Sequence, residues 1–357
     1  MALDLSSLDY NGEQIRGLGE AVQETIFTNP EVTQFAEIVG GIKQGKQIAL
    51  LGKIDGLTGA GVGGCDTAVD TLAIASSQKL WAPAKAGNRF SFCHSEIEGN
   101  FLAYASRNGL KKADLDGTDY LMFIQERLEV AMKEEVMRIA WFSDTGALEV
   151  SGGGVITNGT NLNYFNKIDG FYNQLFAIVA ADATKKTTGL DTRNAGATFA
   201  AQEFIEADTT ARVVTNTLQD MRYGADLRLR ERSDLQYVVT LSVFDQYEKE
   251  LTAANVAFTT ERLENGMATL KSSGIDVVAF SFQDRMIRAY ENDGTVYNLP
   301  HRAILMVKSN MQIGTEDLAT LSEVDVFYDK KEKKNYVDTE YLIDAKIIED
   351  YLIQAAY

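Results

Sequence analysis

Histidine and cysteine are almost missing from this chain, and their scarcity excludes most of the common chemistries. Only His94 and His301 occur among 357 residues, so a reaction that needs a histidine base must use one of them. His94 directly follows Cys93, and neighbours on a strand point to opposite faces, which keeps that pair from working as nucleophile and base. His301 sits in Leu299-Pro300-His301-Arg302 and reads as a loop residue ahead of a strand. Cys65 and Cys93 are too few for a disulfide framework and form no CxxC pair or metal quartet, which fits a reducing compartment. The G-x-S-x-G, HExxH and G-K-[ST] signatures do not occur. No apolar run reaches the roughly eighteen residues of a membrane-spanning helix. Met1-Ala2-Leu3-Asp4-Leu5 lacks the basic and apolar regions of a secretory signal, so synthesis in the cytosol is expected.

Positive charge is also short: 34 Lys and Arg face 51 Asp and Glu, a net charge of -17. Tight binding to a phosphate backbone needs clustered cations, so this balance argues against specific nucleic-acid contact and for a surface that repels DNA. Pairs such as Glu134-Glu135 and Asp114-Asp116 follow from so many acids and read as solvated faces. The run Asp329-Lys330-Lys331-Glu332-Lys333-Lys334 reads as an exposed hairpin turn.

What is present is the composition of a folded protein, with 45% hydrophobic and 10% aromatic residues. The length favours two lobes, or one lobe with long extensions. From Gly12 to Gly40 the spacing predicts two short amphipathic helices joined at Asn29-Pro30, the second carrying Val32, Phe35 and Ile38. Gln47 to Ile54 reads as a strand, and Lys79 to Cys93 as strand-like. The strongest local signal starts at Thr118: Leu121, Ile124, Leu128, Met132, Val136 and Ile139 form one stripe of a long helix ending at Phe142. Residues 168–179 are a short helix or a strand, and Phe199 to Met221 is helical. Tyr237 to Leu241, Ile275 to Phe282 and Arg302 to Val307 are strands, Ser242 to Ala253 is a helix, and Val324 to Tyr328 pairs with Tyr336 to Ile343. Helices and strands mix without regular alternation, so the class is α+β.

Gly59-Ala60-Gly61-Val62-Gly63-Gly64 satisfies G-x-G-x-x-G. A dinucleotide site needs that loop directly after a strand and an acid about twenty residues later. Here the strand ends several residues earlier and no Asp or Glu occurs from Thr71 to Ser95, so the segment reads as a flexible loop and no cofactor is expected. A nicotinamide-dependent oxidoreductase using this loop is the enzyme alternative; cofactor titration would reveal it.

Several segments, in order, resemble major capsid proteins of tailed bacteriophages, in particular those of phages of Bacteroidetes-type hosts. They are Leu80-Trp81-Ala82-Pro83 with the stretch from Phe92 to Phe101, the helix end from Arg138 to Thr145, the segment from Asn166 to Leu175, and the ending from Tyr341 to Tyr357. The resemblance implies the Hong Kong 97-type capsid fold: an N-terminal arm (1–36), an extended loop with flanking segments (37–115), a peripheral domain (116–185) with a spine helix (118–142), an axial domain (186–300), and C-terminal strands returning to the peripheral domain (301–357). Gly56, Gly59, Gly61, Gly63 and Gly64 would hinge the extended loop, and Leu121, Ile124, Leu128, Met132 and Ile139 would form the core face of the spine. It further implies a structural protein and not an enzyme. Such a protein self-assembles through pentamers and hexamers into an icosahedral shell around double-stranded DNA, which it touches only non-specifically. Portal, scaffolding and decoration proteins would be its partners, no membrane would be involved, and it would reside in the virion, with host cytoplasm as the place of assembly. An encapsulin-like compartment shell is the alternative on the same fold, to be separated by genomic neighbours.

Overall fold

A computed structural model describes residues 30–51, 76–93, 117–149, 156–157, 159–263, 267–316, 323–329 and 334–357. Two sheets and five helices of ten or more residues organise these parts. The helices are α1 (Gly117–Phe142), α2 (Phe171–Ala181), α3 (Val213–Gly224), α4 (Leu241–Ala253) and α5 (Ser281–Tyr290).

One sheet has five strands: β1 (Glu37–Val39), β4 (Ala84–Cys93), β11 (Met311–Thr315), β12 (Glu323–Asp329) and β13 (Lys334–Ile347). β13 is its axis. Its second half pairs with β11 and its first half with β12 on one side, while β4 runs along the other side from Cys93 opposite Lys334 to Ala84 opposite Ile343. Tyr341, Ile343, Ala345 and Ile347 alternate into the core, as a strand with one buried face requires. At Gly87 the two strands come so close that a Cβ would lie 2.0 Å from the Thr339 carbonyl oxygen.

The other sheet has seven strands in the order β5 (Lys186–Thr187), β14 (Ile353–Ala356), β10 (Ala303–Val307), β6 (Leu235–Val239), β9 (Ile275–Ala279), β8 (Ala268–Ser272), β7 (Glu261–Arg262). β6 and β9 are parallel neighbours, and β10 runs antiparallel to β6 and β14. All five residues of β10 are buried. Ile304 and Met306 join the core shared with α1, α2 and the five-stranded sheet, whereas Ala303, Leu305 and Val307 join a second core under α3 and α4. β6 and β9 divide in the same way, Val238 and Val278 against Tyr237, Val239, Val277 and Ala279. A continuous apolar run is what a strand covered on both faces demands. β2 (Gln47–Leu51) and β3 (Ser76–Leu80) form a separate ribbon.

The structure departs from the sequence expectations in four places. Residues 32–38 do not form one amphipathic helix: Pro30–Thr33 is a single turn, and β1 then pairs in parallel with β11, while Phe35 packs 4.4 Å from Phe280 between ring centroids. The helix expected from Phe199 to Met221 is three, Phe199–Gln202, Glu206–Ala211 and α3, broken by the extended residues Glu203 and Ile205 and then by Arg212 in the left-handed region at φ 54°. The buried carboxylate of Glu250, from α4, accepts the Val214 and Thr215 N–H groups at 2.9 and 2.7 Å and so fixes where α3 begins. The strand expected to reach Phe282 ends at Ala279, and α5 follows it. Finally, residues 301–357 do not all return to one sheet, because β10 and β14 complete the seven-stranded sheet while β11, β12 and β13 build the other.

Candidate functional site

Three features of the described residues combine position and chemistry: the end of α1, the buried Arg302, and a cavity beside His301.

α1 turns its stripe inward: Leu128, Met132, Val136 and Ile139 are all buried. At its end Met137, Ala140, Trp141 and Phe142 are buried as well, so the helix stops inside the protein. Trp141 is surrounded by Phe35, Phe171, Tyr172 and Phe280, with centroids 5.2 to 6.2 Å away. Gly170 admits α2 to this end: its N–H donates to the Ser143 carbonyl at 2.7 Å, and a Cβ there would come within 2.9 Å of the Ala140 oxygen and the Ser143 nitrogen. Asp169 braces the corner by accepting from the Thr145 N–H and hydroxyl and the Asn173 amide. Burial works to raise its pKa, but those hydrogen bonds prevail and it lies below the ordinary value. Gln174 ties α2 to β13, donating to the Ala345 carbonyl at 2.6 Å and accepting from the Ile347 N–H at 2.9 Å.

Arg302, 1% exposed, fastens this corner to the seven-stranded sheet. Its guanidinium pairs with Glu291, donates to the Asn298 and Leu299 carbonyls at 2.8 Å each, and lies 4.3 Å from the centroid of the Tyr172 ring. Planar stacking and forked donation are what arginine alone among the cations provides. Burial pushes the Tyr172 phenol up, although the guanidinium works against it.

The cavity, about 390 Å³, opens at the carboxyl ends of β6 and β9, where α4 and α5 begin. His301 lines it from the loop segment ahead of β10, where the sequence places it, and is 5% exposed. Its Nε2 lies 2.6 Å from the Gln202 carbonyl and its Nδ1 2.8 Å from the Ser242 hydroxyl. A carbonyl can only accept, so the proton sits on Nε2 and Ser242 donates to Nδ1. Burial lowers the His301 pKa, which keeps the ring neutral near pH 7. The serine-histidine pair therefore acts as a clamp between α4 and the segment before β10. The N–H of Leu241, which could otherwise meet an anion at the start of α4, donates to the Asp284 carboxylate at 2.6 Å. Burial raises the Asp284 pKa against those backbone hydrogen bonds. What the cavity offers a visitor is apolar wall from Phe204 and Leu241 together with the Asp245 and Asp284 carboxylates.

Of the residues singled out from sequence, Leu128, Met132 and Ile139 meet in one core. Leu121 and Ile124 lie on α1, with side chains outside the described set. Gly56, Gly59, Gly61, Gly63 and Gly64, together with His94, lie outside the described residues, as does the dinucleotide reading of that loop. Among the described residues no three His, Cys, Asp or Glu side chains form a metal-binding group, and no helix is long and apolar enough to cross a membrane. Sequence reasoning does not single out Arg302, Ser242 and Asp284, which acquire their roles from Tyr172, His301 and Leu241, each more than 40 positions away, or Glu291, whose partner Arg302 is 11 positions on.

No family model and no curated protein matches the chain. Among solved structures, a subunit of a satellite phage P4 procapsid that includes the size-determination protein aligns over 96% of this chain and 98% of its own, at TM-score 0.51 and 11% identity. The fold is the Hong Kong 97-type capsid fold. An encapsulin complex from Synechococcus elongatus (TM-score 0.47, 8% identity, 92% of this chain and 87% of that one) and the Gordonia phage Cozz (0.46, 12%, 94% and 86%) are similar in arrangement. With this fold, the long α1 and the two sheets are one architecture, and the 11% identity explains why it is visible in shape and not in a family-wide sequence pattern.

Proposed function

We propose that the chain is a structural shell protein, the major capsid protein of a tailed bacteriophage, which assembles through pentamers and hexamers into an icosahedral container for double-stranded DNA. The observation that carries this reading is the capsid fold, aligned over nearly the whole of both chains. In this reading α1 is the spine of a peripheral domain, about 39 Å long at 1.5 Å per residue over 26 residues. Residues 1–36 are the arm, and 37–115 carry the extended loop with its hinge at Gly56, Gly59, Gly61, Gly63 and Gly64. The axial domain spans 186–300 and gains β10 and β14, while β11 to β13 belong to the peripheral sheet. A rigid spine with hinged extensions lets one subunit make nearly the same contacts at several angles. Many weak contacts per copy give a shell its stability, so the role calls for no catalytic group. The net charge of -17 supports a wall to which packed DNA does not adhere. Portal, scaffolding and decoration proteins are the partners this role entails, and the virion is its location.

Electron microscopy and mass photometry of the purified chain test the reading. Closed shells, tubes or free pentamers and hexamers are expected. A monodisperse monomer or dimer that ignores concentration and crowding agents would overturn it. Particles from an infected host that hold a protein cargo and no nuclease-protected DNA would instead assign the shell to a cargo compartment.

A further inference from the structure

We propose that the arginine-bearing corner at residues 223–232 of one copy docks into the His301 cavity of a second copy, making a head-to-tail contact. This rests on reading the chain as self-assembling, and it names the two patches that meet.

The corner is built to protrude. Tyr223 and Leu227, 62% and 68% exposed, are the two most exposed large apolar side chains among the described residues. Around them stand Arg222, Arg228, Arg230 and Arg232, interleaved with Asp226, Glu231 and Asp234, which leaves the corner slightly cationic on a chain that is otherwise acidic. Three of these are already engaged: Arg222 donates to the Ser273 carbonyl at 3.4 Å, Arg228 is forked onto Asp226 and lies 3.7 Å from the Tyr351 centroid, and Arg232 is forked onto Asp234. Arg230 is exposed, touches the Tyr223 ring at 5.8 Å, and forms no ion pair among the described residues. It is the guanidinium left to reach outward.

The cavity offers the complement. Phe204 and Leu241 supply apolar wall, with Ile205, 49% exposed, next to Phe204 in the chain. Glu203, Asp245 and Asp284 outnumber Lys249 and Arg288 among the charges that line it. Asp284 is committed to the start of α4. Asp245 is exposed at the cavity; the partial desolvation of its carboxyl raises the pKa against the pull of Lys249, so an arriving cation would stabilise its charged form. The volume of about 390 Å³ falls in the ~300–1,000 Å³ range of ligand-holding clefts.

Position makes the two patches a head and a tail. The corner precedes β6 and the cavity follows it, so the five residues of Leu235–Val239 separate them by about 16 Å at ~3.3 Å per residue. When the corner of one copy enters the cavity of the next and leaves its own cavity for a third, the contact is heterologous and closes into a ring or extends as a filament. The contact area is small, so each joint is weak and the ring provides the strength.

The test uses the full chain carrying Arg230→Glu, Asp245→Lys, or both, read by mass photometry and electron microscopy. Each single reversal places like charges together and is expected to lower the assembled fraction at least about tenfold, whereas the double variant, which restores an inverted pair, returns to within about twofold of the parent. Leu227→Asp, at an exposed position, is expected to act like the single reversals. Circular dichroism and thermal melting confirm that each variant is folded. Single variants that assemble like the parent, or a folded double variant as defective as the singles, would overturn the pairing while leaving self-assembly standing. A parent chain that never assembles would instead overturn the shell reading.

Discussion

The two sheets of this protein meet one core and are built to opposite specifications. The seven-stranded sheet is short-stranded and walled on both faces, and β10 has no residue in contact with water. The five-stranded sheet is organised on a 14-residue strand whose second half sends alternate residues, Tyr341, Ile343, Ala345 and Ile347, into the core. Sequence composition follows: Ala-Ile-Leu-Met-Val in β10 against Lys-Asn-Tyr-Val-Asp-Thr-Glu at the start of β13. Apolar burial, worth roughly 25 cal/mol per Å², holds the first sheet from both sides, while the second is laddered along the whole of β13 to β4 on one side and to β11 and β12 on the other. One sheet is thus sealed on both faces at its centre, and the other meets the core through alternate residues of its axis strand.

Substitutions can break or sharpen that contrast. The largest effect is expected from Arg302→Leu, which strands Glu291 as a buried charge without its partner; loss of about 3–5 kcal/mol in denaturant unfolding is expected. A loss below about 1 kcal/mol would show that the ion pair is dispensable. Leu305→Ala, in the strand sealed on both faces, should cost about 2–5 kcal/mol by the same measurement.

Acidity sharpens the contrast at the carboxyl ends of the central strands. The Asp284 carboxyl titrates above its ordinary 3.8 in the folded protein because burial disfavours its charge. The native state therefore holds that proton more tightly than the unfolded chain. The stability this contributes is complete below the unfolded value and is lost as pH rises through the folded one. Relative to Asp284→Asn, the parent should lose stability as pH climbs from below 3.8 toward neutrality. A difference between the two that is flat or rises over that span would sink the assignment. The smallest effect belongs to the β4–β13 pair: Lys85→Ala removes an exposed ion pair with Glu340 and should change unfolding by less than about 1 kcal/mol.

Much of this could be read from the residues. The apolar runs of β6, β9 and β10 announce strands, the stripe from Leu128 to Ile139 announces α1, and the charged turn between β12 and β13 announces their pairing. Each of these is a local signal, expressed within one element. What stayed hidden depends on pairs far apart. Glu250 begins a helix at Val214, Ser242 finds His301 59 positions away, and α5 was absorbed into the strand before it because Ser281-Phe282 continues the apolar run of β9 before Asp284 and Arg285 reveal a helix. Arg302 looked like an ordinary cation ahead of a strand, since nothing nearby tells that Tyr172 and Glu291 will enclose it.

The pairing of β4 with β13 has a consequence in time. Asn88 and Thr339 meet across 251 positions of sequence, so β4 joins β13 only after an intervening loop of that length has been closed, and the entropy of closing it is offset mainly by the core that forms in between. The seven-stranded sheet and α1 should therefore set first and β4 zip on last, at a rate limited by encounter and not by local propensity. Pulse-labelling hydrogen exchange during refolding would find the β4 amides among the last to gain protection, leaving an interval in which the body is finished while the β4 side of β13 is still open to a partner from another chain.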